Sequence, residues 1–192
     1  MLVEELALRA DDLTIESIDD QLSSQLPELQ FGGKWLEASN RILEGKHINK
    51  VAIVVPYRDR LKNLKIFTQY MHQFLIKQSI INYGIYLVEP MSNLTFNRAL
   101  LLNIGFKEAF KDENYECFIF HDVDMLPVNE DNEYLCDLDY PKQFATSISI
   151  YAYSEIDYFR NRYMGGVTGF TRDQFEMING YSNSFFGWGG EG

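Results

Sequence analysis

The chain is poor in the residues that build metal staples. Its 192 residues include only two cysteines, Cys117 and Cys136, and three histidines, His47, His72 and His121, which show no ligand spacing. A structural zinc site is excluded on those counts. Positive charge is also scarce: 17 Lys and Arg against 28 Asp and Glu leave a formal net charge of −11. That balance argues against nucleic acid as a partner, which requires an extended basic surface. No stretch approaches the ~20 continuous apolar residues needed to cross a bilayer. A phosphate-bearing ligand must then be held by a few local arginines and a cation, working against the overall field. Arginine placement is therefore informative.

What is present is a globular composition, 46% hydrophobic and 15% aromatic, at a length that suits one domain with a single sizeable core. Residues 1–30 are acidic, lack clear turn structure and read as an N-terminal arm, with Leu2, Leu6, Leu8 and Leu13 placed for a short helix. The arm has no basic region followed by a sustained apolar run, so it does not read as a signal peptide, and a targeting segment is expected outside this chain. Gly32-Gly33-Lys34-Trp35 marks a turn with an aromatic anchor.

The first strong strand is Val51-Ala52-Ile53-Val54-Val55, ended by Pro56, a β-branched run that suits burial on both faces. Tyr57-Arg58-Asp59-Arg60 puts two guanidinium groups at its carboxyl end. Leu64, Phe67, Met71, Phe74 and Leu75 recur at helical spacing from Leu61 to about Gln78. Tyr83 to Val88 is a second strand. Asn93-Leu94-Thr95 is a glycosylation pattern of low weight beside the candidate site. Phe96-Asn97-Arg98 opens a second helix whose apolar face is Leu101, Leu102, Ile104, Gly105, Phe106 and Phe110.

The third strand runs into Cys117-Phe118-Ile119-Phe120-His121-Asp122-Val123-Asp124-Met125-Leu126-Pro127. The order β-α-β-α-β implies a parallel sheet. If the strand continues through Asp124, Asp122 and Asp124 leave the backbone on the same side. Such hard oxygen ligands at the carboxyl end of a buried strand suit Mg²⁺ or Mn²⁺, with substrate phosphates completing the shell. Asp-x-Asp also arises by chance in loops, but here it directly follows an apolar segment and precedes Pro127. Cys117 and Cys136 bracket it, as free buried thiols in a reducing compartment or as one bridge in a secretory one. Phe144 to Ile150 reads as a further strand. Thr171-Arg172-Asp173-Gln174 is a capping box with Gly180 as the helix stop. The aromatic, glycine-rich stretch from Phe185 to Gly192 reads as a lid, with Trp188 to stack on a sugar or base, or as a frayed terminus.

Taken in order, Val51 to Arg60, Phe96-Asn97-Arg98, His121-Asp122-Val123-Asp124, Tyr163-Met164-Gly165-Gly166 and Gly187-Trp188-Gly189-Gly190-Glu191 resemble the beta-1,4-galactosyltransferase family, from about Gly32 to Glu191. The resemblance implies an α/β GT-A fold, a Rossmann-like nucleotide-sugar-binding unit with a mostly parallel central sheet flanked by helices. It places Pro56, Tyr57, Arg58, Asp59 and Arg60 along the uridine and diphosphate, and Phe96, Asn97 and Arg98 in a second donor-binding stretch. Asp122 would contact the donor sugar or ribose, beside Val123, and Asp124 would be the Mn²⁺ ligand, with Mg²⁺ as the other candidate ion. Tyr163 and Trp188 would also serve the donor, the Tyr163 ring leaving too little space for a 2-acetamido group and so favouring galactose. Gly190 and Glu191 would face the acceptor. Cys117 and Cys136 match a family disulfide, and members are usually type II membrane proteins of the Golgi lumen.

The family reads Trp-Gly-Gly-Glu-Asp where this chain has Gly192 after Glu191, so the expected base position is not an aspartate and Glu191 is the nearest carboxylate. The family's downstream histidine ligand is likewise absent. The expectation is a galactosyltransferase catalytic domain over residues 31–192 with its C-terminal part missing. It would transfer galactose from UDP-galactose to the 4-hydroxyl of a terminal N-acetylglucosamine on glycoproteins or glycolipids, with inversion, and reach a membrane only through an N-terminal anchor. The alternatives are a non-catalytic nucleotide-sugar or glycan-binding pseudoenzyme, or a variant using N-acetylgalactosamine or a xylose acceptor.

Overall fold

The computed structural model describes residues 29–30, 34–36, 50–78, 80, 82–91, 94–147 and 164–187. Its strands are β1 (Leu29–Gln30), β2 (Lys34–Leu36), β3 (Val51–Pro56), β4 (Asn82–Val88), β5 (Cys117–His121), β6 (Lys142–Gln143) and β7 (Val167–Thr171). They form one sheet in the order β1-β2-β4-β3-β5-β7-β6. Helix α1 (Leu61–Lys77) links β3 to β4, α2 (Arg98–Asp112) links β4 to β5, and α3 (Arg172–Met177) follows β7.

β3 is buried at every position because it is covered on both faces and paired on both edges. Ile53 lies opposite Ile85 of β4 and Ile119 of β5, both pairings parallel. Strand alternation divides its side chains. Val51, Ile53 and Val55 pack with Phe67, Met71, Phe74 and Leu75 of α1, whereas Ala52 and Val54 pack with Leu102, Phe106 and Ala109 of α2. Each such fully buried aliphatic or aromatic side chain stabilises the fold by roughly 1.5–3 kcal/mol. Helix α2 approaches the sheet closely at Gly105, where a Cβ would collide with the side chains of Val54 and Val88.

The parallel character is confined to β4, β3 and β5. β2 is antiparallel to β4, and β7 is antiparallel to β5 and to β6, so the expectation of a mostly parallel sheet is corrected to a mixed one. The further strand expected over 144–150 is also corrected. The strand that pairs with β7 here is Lys142–Gln143, residues 144–147 are irregular, and 148–150 lie outside the described residues. Leu29–Gln30, at the end of the expected arm, pairs with β2 at the sheet edge. The capping box is formed at α3: Thr171 Oγ1 accepts from Gln174 N–H at 3.2 Å and Gln174 Oε1 accepts from Thr171 N–H at 2.9 Å. Asn179 and Gly180 then take left-handed backbone conformations at φ 60 and φ 71, which ends the helix at the expected glycine.

From β3 the chain passes to β4 on one side, then crosses back through α2 to β5 on the other. The loops leaving the carboxyl ends of β3 and β5 therefore diverge, opening the crevice where open α/β sheets bind ligands.

Candidate functional site

The first wall of the crevice leaves β3. Tyr57 is buried and its N–H donates to Val88 O at 3.0 Å, which holds the turn against β4. Arg58 Nη1 donates to Leu94 O at 3.0 Å, and its guanidinium carbon lies 4.9 Å from the centre of the Phe96 ring. Asp59 turns the chain with φ 52, a conformation that aspartate tolerates better than most non-glycine residues. Arg60 then occupies the N-cap position of α1 without making a side-chain cap. Its Nη1 instead reaches Asp124 Oδ2 at 3.1 Å.

The second wall is the start of α2. Asn97 is buried and does two things at once: Oδ1 accepts from Leu100 N–H at 2.9 Å, capping the helix, and Nδ2 donates to Asn183 O at 2.8 Å. Gly187 N–H donates to Phe96 O at 2.8 Å. The segment after α3 is thus strapped across the helix start. Arg98, the first residue of α2, places Nε 2.7 Å from Asp122 Oδ1.

The third wall follows β5, which ends at His121. Asp122 N–H donates to Gly166 O at 2.9 Å and Met125 N–H to Asp122 O at 3.2 Å, so Asp122, Val123 and Asp124 form a turn and do not continue the strand. This corrects the expectation that strand alternation carries both carboxylates to one side. Asp122 is tied to Arg98 and Asp124 to Arg60, each to a different wall.

Behind the turn, His121 is buried, with Nδ1 2.9 Å from Asp122 O and Nε2 2.9 Å from the Tyr134 hydroxyl. Burial pushes its pKa down from 6.5 to about 4. Cys117 and Cys136 are joined in a disulfide, which closes the loop carrying the turn and Tyr134. His121 and Tyr134 were not singled out as site residues from the sequence. The sequence signal available for them was a histidine directly preceding the aspartate pair.

The arrangement brings together Pro56, Tyr57, Arg58, Asp59, Arg60, Phe96, Asn97, Arg98, Asp122, Val123 and Asp124. Tyr163, Trp188, Gly190, Glu191 and Gly192 lie outside the described residues. Among the described residues no cluster of three His, Cys, Asp or Glu side chains could hold a metal. Asp124 presents a half-exposed carboxylate, paired to the half-exposed Arg60. A single carboxylate fits a hard divalent ion whose remaining positions go to phosphate oxygens and water. A cavity of about 680 Å³ opens beside Asp124, with Leu126, Pro127, Tyr134 and Phe144 among its apolar lining and Asn129 and Asn132 among its polar lining.

Residues 3–137 match the family described as the N-terminal region of glycosyl transferase group 7, and residues 146–192 match the N-terminal domain of galactosyltransferase. Beta-1,4-galactosyltransferase 4 of Mus musculus is 41% identical over 180 residues, covering 94% of this chain and 48% of that protein. Beta-1,4-galactosyltransferase 1 of Bos taurus is 38% identical over 170 residues, covering 88% and 40%. The chain thus spans about half the length of the curated relatives it matches. A mutant of Drosophila beta-1,4-galactosyltransferase 7, crystallised with manganese, UDP-Gal and xylobiose, superposes with a TM-score of 0.65 at 33% identity, over 74% of this chain and 57% of that one. The GT-A-like sheet, the crevice at its centre and the identity running along most of the sequence agree, and the chain belongs to the beta-1,4-galactosyltransferase family, glycosyl transferase group 7.

Proposed function

We propose that this chain forms the donor side of a metal-dependent inverting galactosyltransferase that takes UDP-galactose. The observation that carries the reading is the pair of cross-crevice contacts, Arg60 to Asp124 and Arg98 to Asp122. Arg58, Arg60 and Arg98 balance Asp59, Asp122 and Asp124 one for one. A divalent ion on Asp124 would leave this group with an excess of about two positive charges, which a diphosphate neutralises. Ion binding would also compete with Arg60 for Asp124, freeing the Arg60 guanidinium to face phosphate. Arg98 holds Asp122 in place for the donor sugar or ribose. Mn²⁺, with Mg²⁺ as the other candidate, would supply charge stabilisation to the departing UDP.

The acceptor is proposed as the 4-hydroxyl of a terminal N-acetylglucosamine. The acceptor oxygen attacks the anomeric carbon as the bond to UDP breaks, and a base takes the hydroxyl proton. Glu191 is the candidate carboxylate nearest the family's base position. The xylobiose in the Drosophila structure favours xylose as a second acceptor candidate. The Cys117–Cys136 bridge supports an oxidising compartment, the Golgi lumen. Tyr163→Leu is expected to admit UDP-N-acetylgalactosamine, and an unchanged donor preference would remove Tyr163 as the gate.

The test is a calorimetric titration with UDP, with and without Mn²⁺, and with Asp124→Ala as control. Metal-dependent binding lost in the variant supports the donor site. Equal binding in all conditions removes Asp124 from it. Transfer to N-acetylglucosamine or to a xyloside then separates the acceptors, and UDP binding without any transfer favours a nucleotide-sugar-binding module.

A further inference from the structure

The imidazole of His121 is engaged at both nitrogens. The Asp122 carbonyl near Nδ1 can only accept, so the proton of the neutral ring sits on Nδ1 and Nε2 accepts from the Tyr134 hydroxyl. The ring is also packed edge-on against Phe67, with centroids 5.0 Å apart. Tyr134 is itself fixed. Its backbone N–H donates to Gln78 Oε1 at 2.9 Å, where α1 ends, and its ring packs on Phe74 and Phe144 at 5.2 and 4.8 Å.

The same Asp122 carbonyl accepts from Met125 N–H. It therefore sits at the closure of the turn that presents Asp122 and Asp124. Taking the donor site above as given, we propose that His121 is a positioning residue: its Nδ1–H tautomer clamps the Asp122 carbonyl and thereby sets the turn that offers Asp122 and Asp124 to the ligand. The clamp is anchored through Tyr134 to α1 and to the loop closed by the disulfide. A histidine that merely filled space in the core would use neither tautomer selection nor the carbonyl.

The test has two readings. Long-range proton–nitrogen correlation spectra of the intact chain are expected to show His121 protonated on Nδ1; protonation on Nε2 overturns the proposal. Two variants then separate clamping from filling. In His121→Asn the side-chain amide stands near the Nδ1 position and keeps a donor for the Asp122 carbonyl, whereas His121→Gln reproduces the Nε2 end and is closer to histidine in size. His121→Gln is expected to weaken UDP binding in Mn²⁺ by about tenfold or more, the scale seen when a ligand's outer hydrogen-bond partner is lost, and to speed exchange of the Met125 amide. His121→Asn should retain more of both. Equal losses, or a better-preserved His121→Gln, overturn the proposal. If the wild-type chain binds no UDP in Mn²⁺, the donor reading falls, while the tautomer and the Met125 amide still decide whether His121 holds the turn.

Discussion

Arg60 Nη1 lies 3.1 Å from Asp124 Oδ2 although Arg60 stands at the N-cap of α1, a position its side chain leaves uncapped. Ser, Thr, Asp or Asn is preferred there and typically adds about 1 kcal/mol over an uncapped start. The exposed ion pair contributes only about 0–1 kcal/mol in return, so the helix start gives up local stability to a residue aimed at the crevice. Arg60→Ser is expected to leave the urea midpoint unchanged or raised while weakening UDP affinity. A clear loss of stability in this variant would show that Arg60 is held for the fold.

The disulfide is expected to matter for both stability and ligand. It spans 19 positions and encloses the aspartate turn and Tyr134. Closing a loop of this length stabilises by about 3 kcal/mol on the chain-entropy account. Reduction should therefore lower the thermal midpoint, and UDP affinity measured below that midpoint should fall as well. Unchanged affinity in a chain that is reduced but still folded would mean that the turn is held without the bridge.

Two histidines make stability depend on pH. Burial lowers both His72 and His121 from 6.5 to about 4. The unfolded chain binds protons as pH falls through 6.5, while the folded chain resists until about 4. Stability is therefore full above 6.5 and lost progressively down to about 4, by at most roughly 3 kcal/mol per histidine. His72 Nδ1 lies 2.6 Å from the Tyr83 hydroxyl, away from the crevice, so His72→Phe should flatten part of this slope. Urea midpoints between pH 7.5 and 4.5 measure it, and an unaltered slope in the variant would remove His72 as a contributor.

The central β-α-β-α-β order was legible because its signals are local. β3 is a β-branched run, α1 carries a stripe at helical spacing, and Thr171 with Gln174 spells its own cap. The outer strands were less legible. β6 is Lys142–Gln143, two polar residues that pair with β7 through backbone groups, so neither hydrophobic period nor propensity marks them. The aspartate turn misled for a related reason. Alternation predicts where side chains point only while the strand lasts. β5 stops at His121: Asp122 N–H donates to Gly166 O, far along the chain, and Asp122 O accepts from Met125 N–H to close the turn. Motif order grouped Arg60, Arg98, Asp122 and Asp124 as candidates, while the pairing of Arg60 with Asp124 and Arg98 with Asp122 required the fold.

Asn97 offers a way to loosen one wall of the site without unwinding its helix. Asn97→Asp keeps an acceptor for Leu100 N–H, and a carboxylate at a helix start is favourable. It removes the Nδ2 donor to Asn183 O and sets two acceptors against each other in a buried position. The expected loss is about 1–3 kcal/mol, the usual cost of an unsatisfied buried group. Hydrogen exchange should then speed up at Gly187 N–H, which donates to Phe96 O, while Leu100 N–H stays protected. Asn97→Ala removes the cap as well and should expose both amides. The strap has a second hold, because Asn103 Nδ2 donates to Tyr181 O and to Asn183 Oδ1, both at 2.8 Å. A Gly187 amide that stays protected in Asn97→Asp would assign the strap to Asn103, and the double variant with Asn103→Ala should then release it.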